Sequence, residues 1–263
     1  MSDKHSKAEK SKQKTKINWL IPAATLGMFV LILAAALLLR RPNQPGQNST
    51  QPIPSAILEA NTIKLPEASY RSSVSVETTL KNVRPKRSYS DEALTLKEAS
   101  QLLWAAQGVN VDWGDRTTPS AKSTYPLSVY LIVNNIEGLK PGLYQYIPGD
   151  REPIHALKPL TEGNYQSALY NSLNQNSMKN PAGVILITGN MTKMATAYGG
   201  VSHDKEVYLE AGHAAQNLYL QAESLKLGLV ALSNFDDSII RNIINLPPEE
   251  TLIYITPFGK IKD

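Results

Sequence analysis

The most regular alternation of apolar and polar positions in the chain runs from Glu206 to Asp237. Val207, Tyr208, Ala211, Ala214, Ala215, Leu218, Tyr219, Ala222 and Leu225 recur there at three- and four-residue intervals. This spacing keeps one face of an α-helix apolar for about five turns. Gly228 follows the last periodic residue, where glycine ends a helix cheaply in the left-handed conformation. A helix of roughly 20 residues spans about 30 Å, so the segment is predicted to be the central core helix. Leu229 to Leu232 then reads as a buried strand, and Ser233-Asn234-Phe235-Asp236-Asp237 as a polar turn.

Upstream, Thr95-Leu96-Lys97-Glu98 has the form of a capping box. It opens a helix with Leu96, Ala99, Leu102, Leu103 and Ala106 inward, ending at Gly108. Strands are predicted at 127–133 and 143–147, joined as a hairpin through Gly138-Leu139-Lys140-Pro141-Gly142. A helix at 164–175, a buried strand at 183–188, a short helix at 236–245 and a last strand at 251–256 complete the set. Helices and strands mix without a strict βαβ rhythm, which predicts an α+β layer architecture and not a doubly wound sheet.

Residues 17–39 follow neither period. The run INWLIPAATLGMFVLILAAALLL has no charged residue and matches the hydrocarbon thickness of a bilayer. It exceeds the 7–15 apolar residues usual in a cleaved signal peptide and runs into Arg40-Arg41 without a small-x-small site. It is therefore read as one transmembrane anchor. Six lysines precede it (Lys4, Lys7, Lys10, Lys12, Lys14 and Lys16) against two arginines after it, which orients the tail 1–16 to the cytoplasm. The domain is then expected on the extracytoplasmic side. Residues 40–75 form a linker, rich in Pro, Gln, Asn and Ser over 42–56, and 76–263 the folded domain.

Composition changes this picture in two respects. Of the 27 Lys and Arg and 23 Asp and Glu, residues 1–41 hold eight and two, leaving 19 basic and 21 acidic residues in 42–263. The domain has no basic surplus, so no nucleic-acid partner is expected. The chain has no cysteine, which excludes disulfides, thiolate metal sites and a cysteine nucleophile.

Dinucleotide fingerprint, phosphate loop, HExxH and Gly-x-Ser-x-Gly elbow are all missing, and no metal ligand set stands out. His155, His203 and His213 stand singly, and His213 is read as a packed or interface residue, with Glu210 one turn away. Two clusters remain. Arg84-Pro85-Lys86-Arg87-Ser88-Tyr89-Ser90 offers guanidinium forks suited to a phosphate, or is a solvated basic turn. Thr117 to Pro126 is a hydroxyl-rich loop before a core strand, a ligand loop or an ordinary turn.

The order of these segments resembles the nitroreductase superfamily, and within it the peptide-azoline dehydrogenase branch of thiazole/oxazole-modified peptide pathways. Six motifs carry the likeness over about 76–263. They are the Arg-x-x-Arg segment, Leu102 to Gly108, Pro119-Ser120 with Tyr125-Pro126, Gly138 to Tyr146, Leu209 to Leu218, and Leu227-Gly228-Leu229. The resemblance implies a nitroreductase-like α+β fold, a mixed central sheet with long core helices that dimerise, and two FMN molecules at the interface of a homodimer.

Carried over by position, Arg84 and Arg87 match the basic residues at the flavin phosphate and ribityl. Pro119, Ser120 and Ala121 match the loop that meets flavin from the partner subunit, and Gln175 lies near a flavin-side Gln. Ser233 and Asn234 match the turn whose backbone amide faces flavin N5, and Gly259 and Lys260 the C-terminal phosphate-side segment. Tyr198 matches the Tyr of a Lys-Tyr pair and is the expected proton-transferring catalytic residue.

This chain departs from the pattern at several points. Pro85 replaces a usual Ser, Val83 a frequent Arg, Lys122 a Gly and Asn234 a Gly at the N5 turn. Ala197 replaces the Lys of the Lys-Tyr pair, removing the expected base. The reading is a membrane-anchored, FMN-dependent oxidoreductase with hydride transfer through flavin N5. The alternatives are a flavin-fold binding or assembly module that has lost catalysis, and a peptide-azoline dehydrogenase with a replacement base.

Overall fold

The computed structural model describes residues 61–150 and 152–262, so the expected tail, anchor and first part of the linker lie outside the described residues. Among the described residues no helix is long and apolar enough to cross a membrane. In chain order the elements are β1 (Ile63–Lys64), α1 (Val76–Asn82), α2 (Leu96–Gln107), β2 (Leu127–Val133), β3 (Gly142–Gly149), β4 (Pro153–Glu162) and α3 (Gln166–Leu173). They continue with β5 (Gly183–Asn190), α4 (Met191–Ala197), α5 (Asp204–Ser224), β6 (Leu227–Leu229), α6 (Asp237–Ile244) and β7 (Glu250–Lys260).

One seven-stranded sheet runs in the order β1-β4-β3-β2-β5-β7-β6. Every pairing between these strands is antiparallel. A parallel bridge, Leu94 to Ile136, stands outside them. Successive residues of a strand point to opposite faces, and here both faces are covered. Val129, Leu131, Val133, Ile185 and Ile187 pack with α2 and α5. Tyr130, Ile132, Val184 and Leu186 pack with α3 and α6. Burial on both sides explains why β2 and β5 read as continuous apolar runs and not as alternating ones.

The core helix α5 lies against the sheet through Val207, Ala211, Ala214, Ala215, Leu218 and Ala222, all buried. Four alanines on that stripe let α2 and the strands approach closely, while Leu218 fills the centre. Asp204 and Glu206 in the first turn complement the positive helix terminus. The capping box of α2 is present, with Thr95 accepting from the Glu98 amide and Glu98 from the Thr95 amide.

The structure corrects the pattern reading in four places. Gly228 does not end α5. The helix stops at Ser224, and Lys226 takes the left-handed turn at φ 58°. Gly228 lies inside β6, where a Cβ would meet the Tyr89 ring at 3.0 Å. Tyr208, assigned to the apolar face, is half exposed, and Glu210 is buried instead. The strand β4 has no counterpart in the reading because Pro153 and Pro159 interrupt its pattern, and proline is confined to positions that need no ladder donor. Residues 63–69, placed in the linker, belong to the packed domain: β1 pairs with β4, Leu65 is buried, and the Ser69 amide donates to Gln101 Oε1 at 2.8 Å.

Candidate functional site

Residues 84–90 run along the β6–β7 edge of the sheet. Lys86 N–H donates to the Leu229 carbonyl and Ser90 N–H to the Lys260 carbonyl, both at 3.0 Å. Between them Tyr89 is buried, and its hydroxyl reaches the carbonyls of Pro257 at 2.9 Å and Lys86 at 3.0 Å. Gly259 lies against the same ring, where an added Cβ would sit 3.0 Å from Tyr89 Cβ. These contacts fasten the segment that carries Arg84 and Arg87 to β6 and β7 through Lys86, Tyr89 and Ser90. Arg84 and Arg87 are exposed, and Arg84 Nη1 donates to the Lys81 and Val83 carbonyls at 3.2 and 2.7 Å. Ser90 Oγ is buried with no hydrogen-bond partner among the described residues.

Lys260 is engaged elsewhere, since its ammonium pairs with the Glu98 carboxylate. Burial pushes the Glu98 carboxyl up, but the bonds from Lys260 and Thr95 outweigh it and hold the group below its ordinary value. Ser233 and Asn234 are exposed in the turn between Leu232, bridged to Ile255, and Asp236, which caps α6.

The hydroxyl-rich loop lies toward the other end of α5. Thr118 is buried and donates to the Ala106 carbonyl at 2.8 Å, and Asn217 Nδ2 donates to the Thr117 carbonyl and Thr118 Oγ1 at 3.1 Å each. Beyond Pro119, Ser120 and Ala121 the backbone takes positive φ at Lys122 (53°), Ser123 (50°) and Tyr125 (47°), uncommon for residues with side chains. The turn aims Lys122 at the end of α4. Lys122 Nζ donates to the Ala197 carbonyl at 3.0 Å and lies 4.0 Å from the Tyr198 ring centroid. Tyr198 also stacks on His203 at 3.6 Å and 20°, and His203 Nδ1 is 3.2 Å from a Glu206 oxygen. Four proton-exchanging groups thus adjoin one another. Sequence reasoning found Tyr198 and missed the amine beside it, although Lys122 stood out where a Gly is usual.

A second polar cluster lies beneath the same loop. Glu210 is 2% exposed on the inner stripe of α5. Its Oε1 accepts from Gln107 Nε2 at 3.4 Å, and Oε2 has no partner among the described residues. Arg116 Nη1 donates to Gln107 Oε1 at 3.1 Å and its guanidinium lies 4.7 Å from the Tyr125 ring centroid. Burial pushes the Glu210 carboxyl up to about 7, against the opposing pull of Ser120, Gln107, Arg116 and Lys193. Positions 207, 210, 211 and 214 fall at one helical face, so this burial was legible. His213, read as a packed or interface residue, is exposed in the single chain.

The two ends are well separated within one chain. Ser120 acts on the Glu210 carboxyl, and Lys86 pairs with Glu223 at 3.4 Å. At 1.5 Å per residue these positions on α5 are roughly 20 Å apart. Gln175 stands in the opposite layer, at the start of the 3-10 turn Asn176–Met178 that follows α3, with Met178 packed in the core of that face. A cleft of about 720 Å³ opens between residues 69–76, α2 and α5, walled by Tyr70, Gln101, Trp104 and Gln221 and reaching Glu98. No group of His, Asp or Glu suited to a metal ion occurs among the described residues.

A three-layer α+β domain with a long alanine-rich core helix and an arginine-bearing sheet edge is the scaffold of one class of oxidoreductase. Residues 81–260 match the family model described as Nitroreductase family. A protein of Methanocaldococcus jannaschii classed with the nitroreductases is 35% identical over 187 residues, covering 71% of this chain and 91% of its own. The chain belongs to the nitroreductase family and is an oxidoreductase. A crystal structure of a nitroreductase-class protein from Ralstonia eutropha superposes with TM-score 0.65 at 25% identity, covering 77% of this chain and 90% of that one. The E. coli microcin synthetase McbBCD complex, with truncated pro-MccB17 bound, shares the fold at TM-score 0.55 and 23% identity, over 75% of this chain and 79% of that chain.

Proposed function

We propose that the protein is an FMN-dependent oxidoreductase whose flavin sites form between two copies of the chain. The observation that carries the reading is the β6–β7 edge, where buried Tyr89 anchors a segment that carries the exposed Arg84 and Arg87 and, three residues after Arg87, the unpartnered Ser90 hydroxyl. Two exposed guanidiniums and a free hydroxyl fit a phosphate monoester, which needs charge and several donors. Lys260, committed to Glu98, contributes less than the resemblance implies. Bound there, FMN would supply hydride transfer at its N5. Asn234 would present its backbone amide toward that side, and Pro119–Ala121 of the second copy would close the site. Tyr198, flanked by Lys122 and His203, would hold and deliver the proton at its phenol oxygen. Lys122 then provides the amine that Ala197 lacks.

The charge-free run 17–39 supports a tether that would hold this domain at a membrane, with the lysine-rich tail in the cytoplasm. The substrate would enter over the exposed flavin face.

Titration of the full-length protein with FMN, followed by quenching of flavin fluorescence, tests the reading. Saturable binding is expected, weakened about tenfold or more in Arg87→Ala, since a hydrogen bond to a charged group contributes about 1.5–3 kcal/mol. No binding, or identical binding by the variant, would contradict it and favour the binding-module alternative.

A further inference from the structure

We propose that the cavity beneath the hydroxyl-rich loop is a binding site for a small carboxylate or oxoanion, gripped by Arg116 and Lys193. The site is distinct from the arginine edge, and the proposal does not rest on flavin binding.

Two cations from different elements converge on Tyr125. The Arg116 guanidinium, carried by the loop after α2, lies 4.7 Å from the centroid of the Tyr125 ring. Lys193 Nζ, from the first turn of α4, donates to the Tyr125 carbonyl at 2.9 Å. Both residues line a polar cavity of about 170 Å³, together with Gln107, Ser128 and Gln145. That is room for about five waters at roughly 30 Å³ each. It falls below the roughly 300 Å³ at which pockets for drug-sized ligands begin. An anion of three or four heavy atoms fits this space, and a flavin does not.

Neither cation has an acid of its own. Among the described residues Arg116 and Lys193 form no salt bridge. Arg116 gives Nη1 to Gln107 Oε1 at 3.1 Å and Nη2 to the Gly149 carbonyl at 3.4 Å, both neutral acceptors. Its Nε is buried with no partner among the described residues. A guanidinium offers five hydrogens and an ammonium three, so donors remain on both groups. Nε and Nη2 share one edge of the guanidinium, which can take two oxygens of a planar anion side by side.

The acids nearby are otherwise engaged. Asp115 accepts from the Tyr125 hydroxyl at 2.9 Å and from Trp113 Nε1 at 2.7 Å, and Asp150 is exposed. Glu210 meets Arg116 through Gln107, which donates to the carboxyl and accepts from the guanidinium. Burial also pushes Glu210 toward the neutral acid. The positive charge is therefore under-compensated. Burial holds Arg116 and Lys193 below their ordinary values, and Arg116 lowers Lys193 further. A buried cation without a counter-charge is costly, and an anion in the cavity would offset that cost.

Sodium formate added to the full-length protein tests the site, read by the ¹⁵N–¹H resonance of Arg116 Nε. The resonance is expected to move saturably in wild type, which needs no substitution. Lys193→Gln should weaken formate binding about tenfold or more, the value of a hydrogen bond to a charged group. Glu210→Gln at pH 8 should strengthen it, because a competing negative charge is removed. Thermal unfolding gives a second reading: formate should raise Tm more in wild type than in Lys193→Gln at equal salt. An Arg116 resonance that formate leaves in place would mean that the cavity takes water only. Equal binding by Lys193→Gln would put formate elsewhere, and either result overturns the proposal. Absence of FMN binding with formate binding intact would instead remove the proposed function and leave the anion site standing.

Discussion

Glu210 lies among alanines on the inner stripe of α5, with its carboxyl shifted up to about 7 from an ordinary 4.5. The sign of its effect on stability follows from proton counting. Between those two values the unfolded chain has released its proton while the folded chain keeps it. Stability from this group is therefore complete below the unfolded value and declines as pH rises through the folded one. The loss at alkaline pH amounts to at most about 3 kcal/mol, taking 1.36 kcal/mol per unit. Urea unfolding at pH 5 and pH 8 should show Glu210→Gln gaining stability over wild type at pH 8 but not at pH 5. An equal difference at both values would mean that the acid does not titrate in the fold. At the sheet's other face Glu250 is also buried, and its carboxylate accepts from Ser128, Tyr130 and Thr188.

At the scale of elements, what was legible depended on how locally each was specified. The capping box and apolar stripe of α2, the runs of β2 and β5, and the 3.6-residue stripe of α5 all lie within short windows. β4 was not legible, because its prolines break the pattern and its place is set by partners on β3 and β1. The site divided in the same way. Arg84, Arg87 and Tyr198 could be named from motifs, whereas Lys122 reaches Tyr198 only because three left-handed residues turn the loop after Ser120 toward α4. That junction has its own prediction. Tyr198→Phe keeps the stack on His203 and removes only the hydroxyl. It should lower kcat about 100-fold, the lower end of what a positioned proton donor contributes, while FMN affinity changes less than about twofold. An unchanged kcat would place the proton donor elsewhere, and lost FMN binding would make Tyr198 a structural residue.

For the whole molecule, α5 separates the two clusters that the proposed function joins into one site. The arginine edge adjoins its C-terminal half, and the Ser120 loop with Tyr198 adjoins its N-terminal half, roughly 20 Å away along the axis. In its N-terminal half α5 exposes Tyr208 (50%), Leu209 (53%) and His213 to solvent. A two-fold dimer through such a face would set each arginine edge opposite the other chain's loop, giving two identical sites. Residue-level chemistry would then depend on assembly, which a motif within one chain cannot display.

Mixed dimers test this arrangement most directly. Full-length chains carrying Arg87→Ala with one tag and Ser120→Trp with another would be co-expressed, and the doubly tagged species isolated and its flavin counted. Each variant alone has both sites damaged. In the mixed dimer one site combines both lesions, and the other takes its arginine and its loop from undamaged positions. The account predicts little flavin in either homodimer and about one FMN per mixed dimer, as two-fold symmetry requires. A mixed dimer as empty as its parents would show that each chain builds its site alone, and would contradict the account.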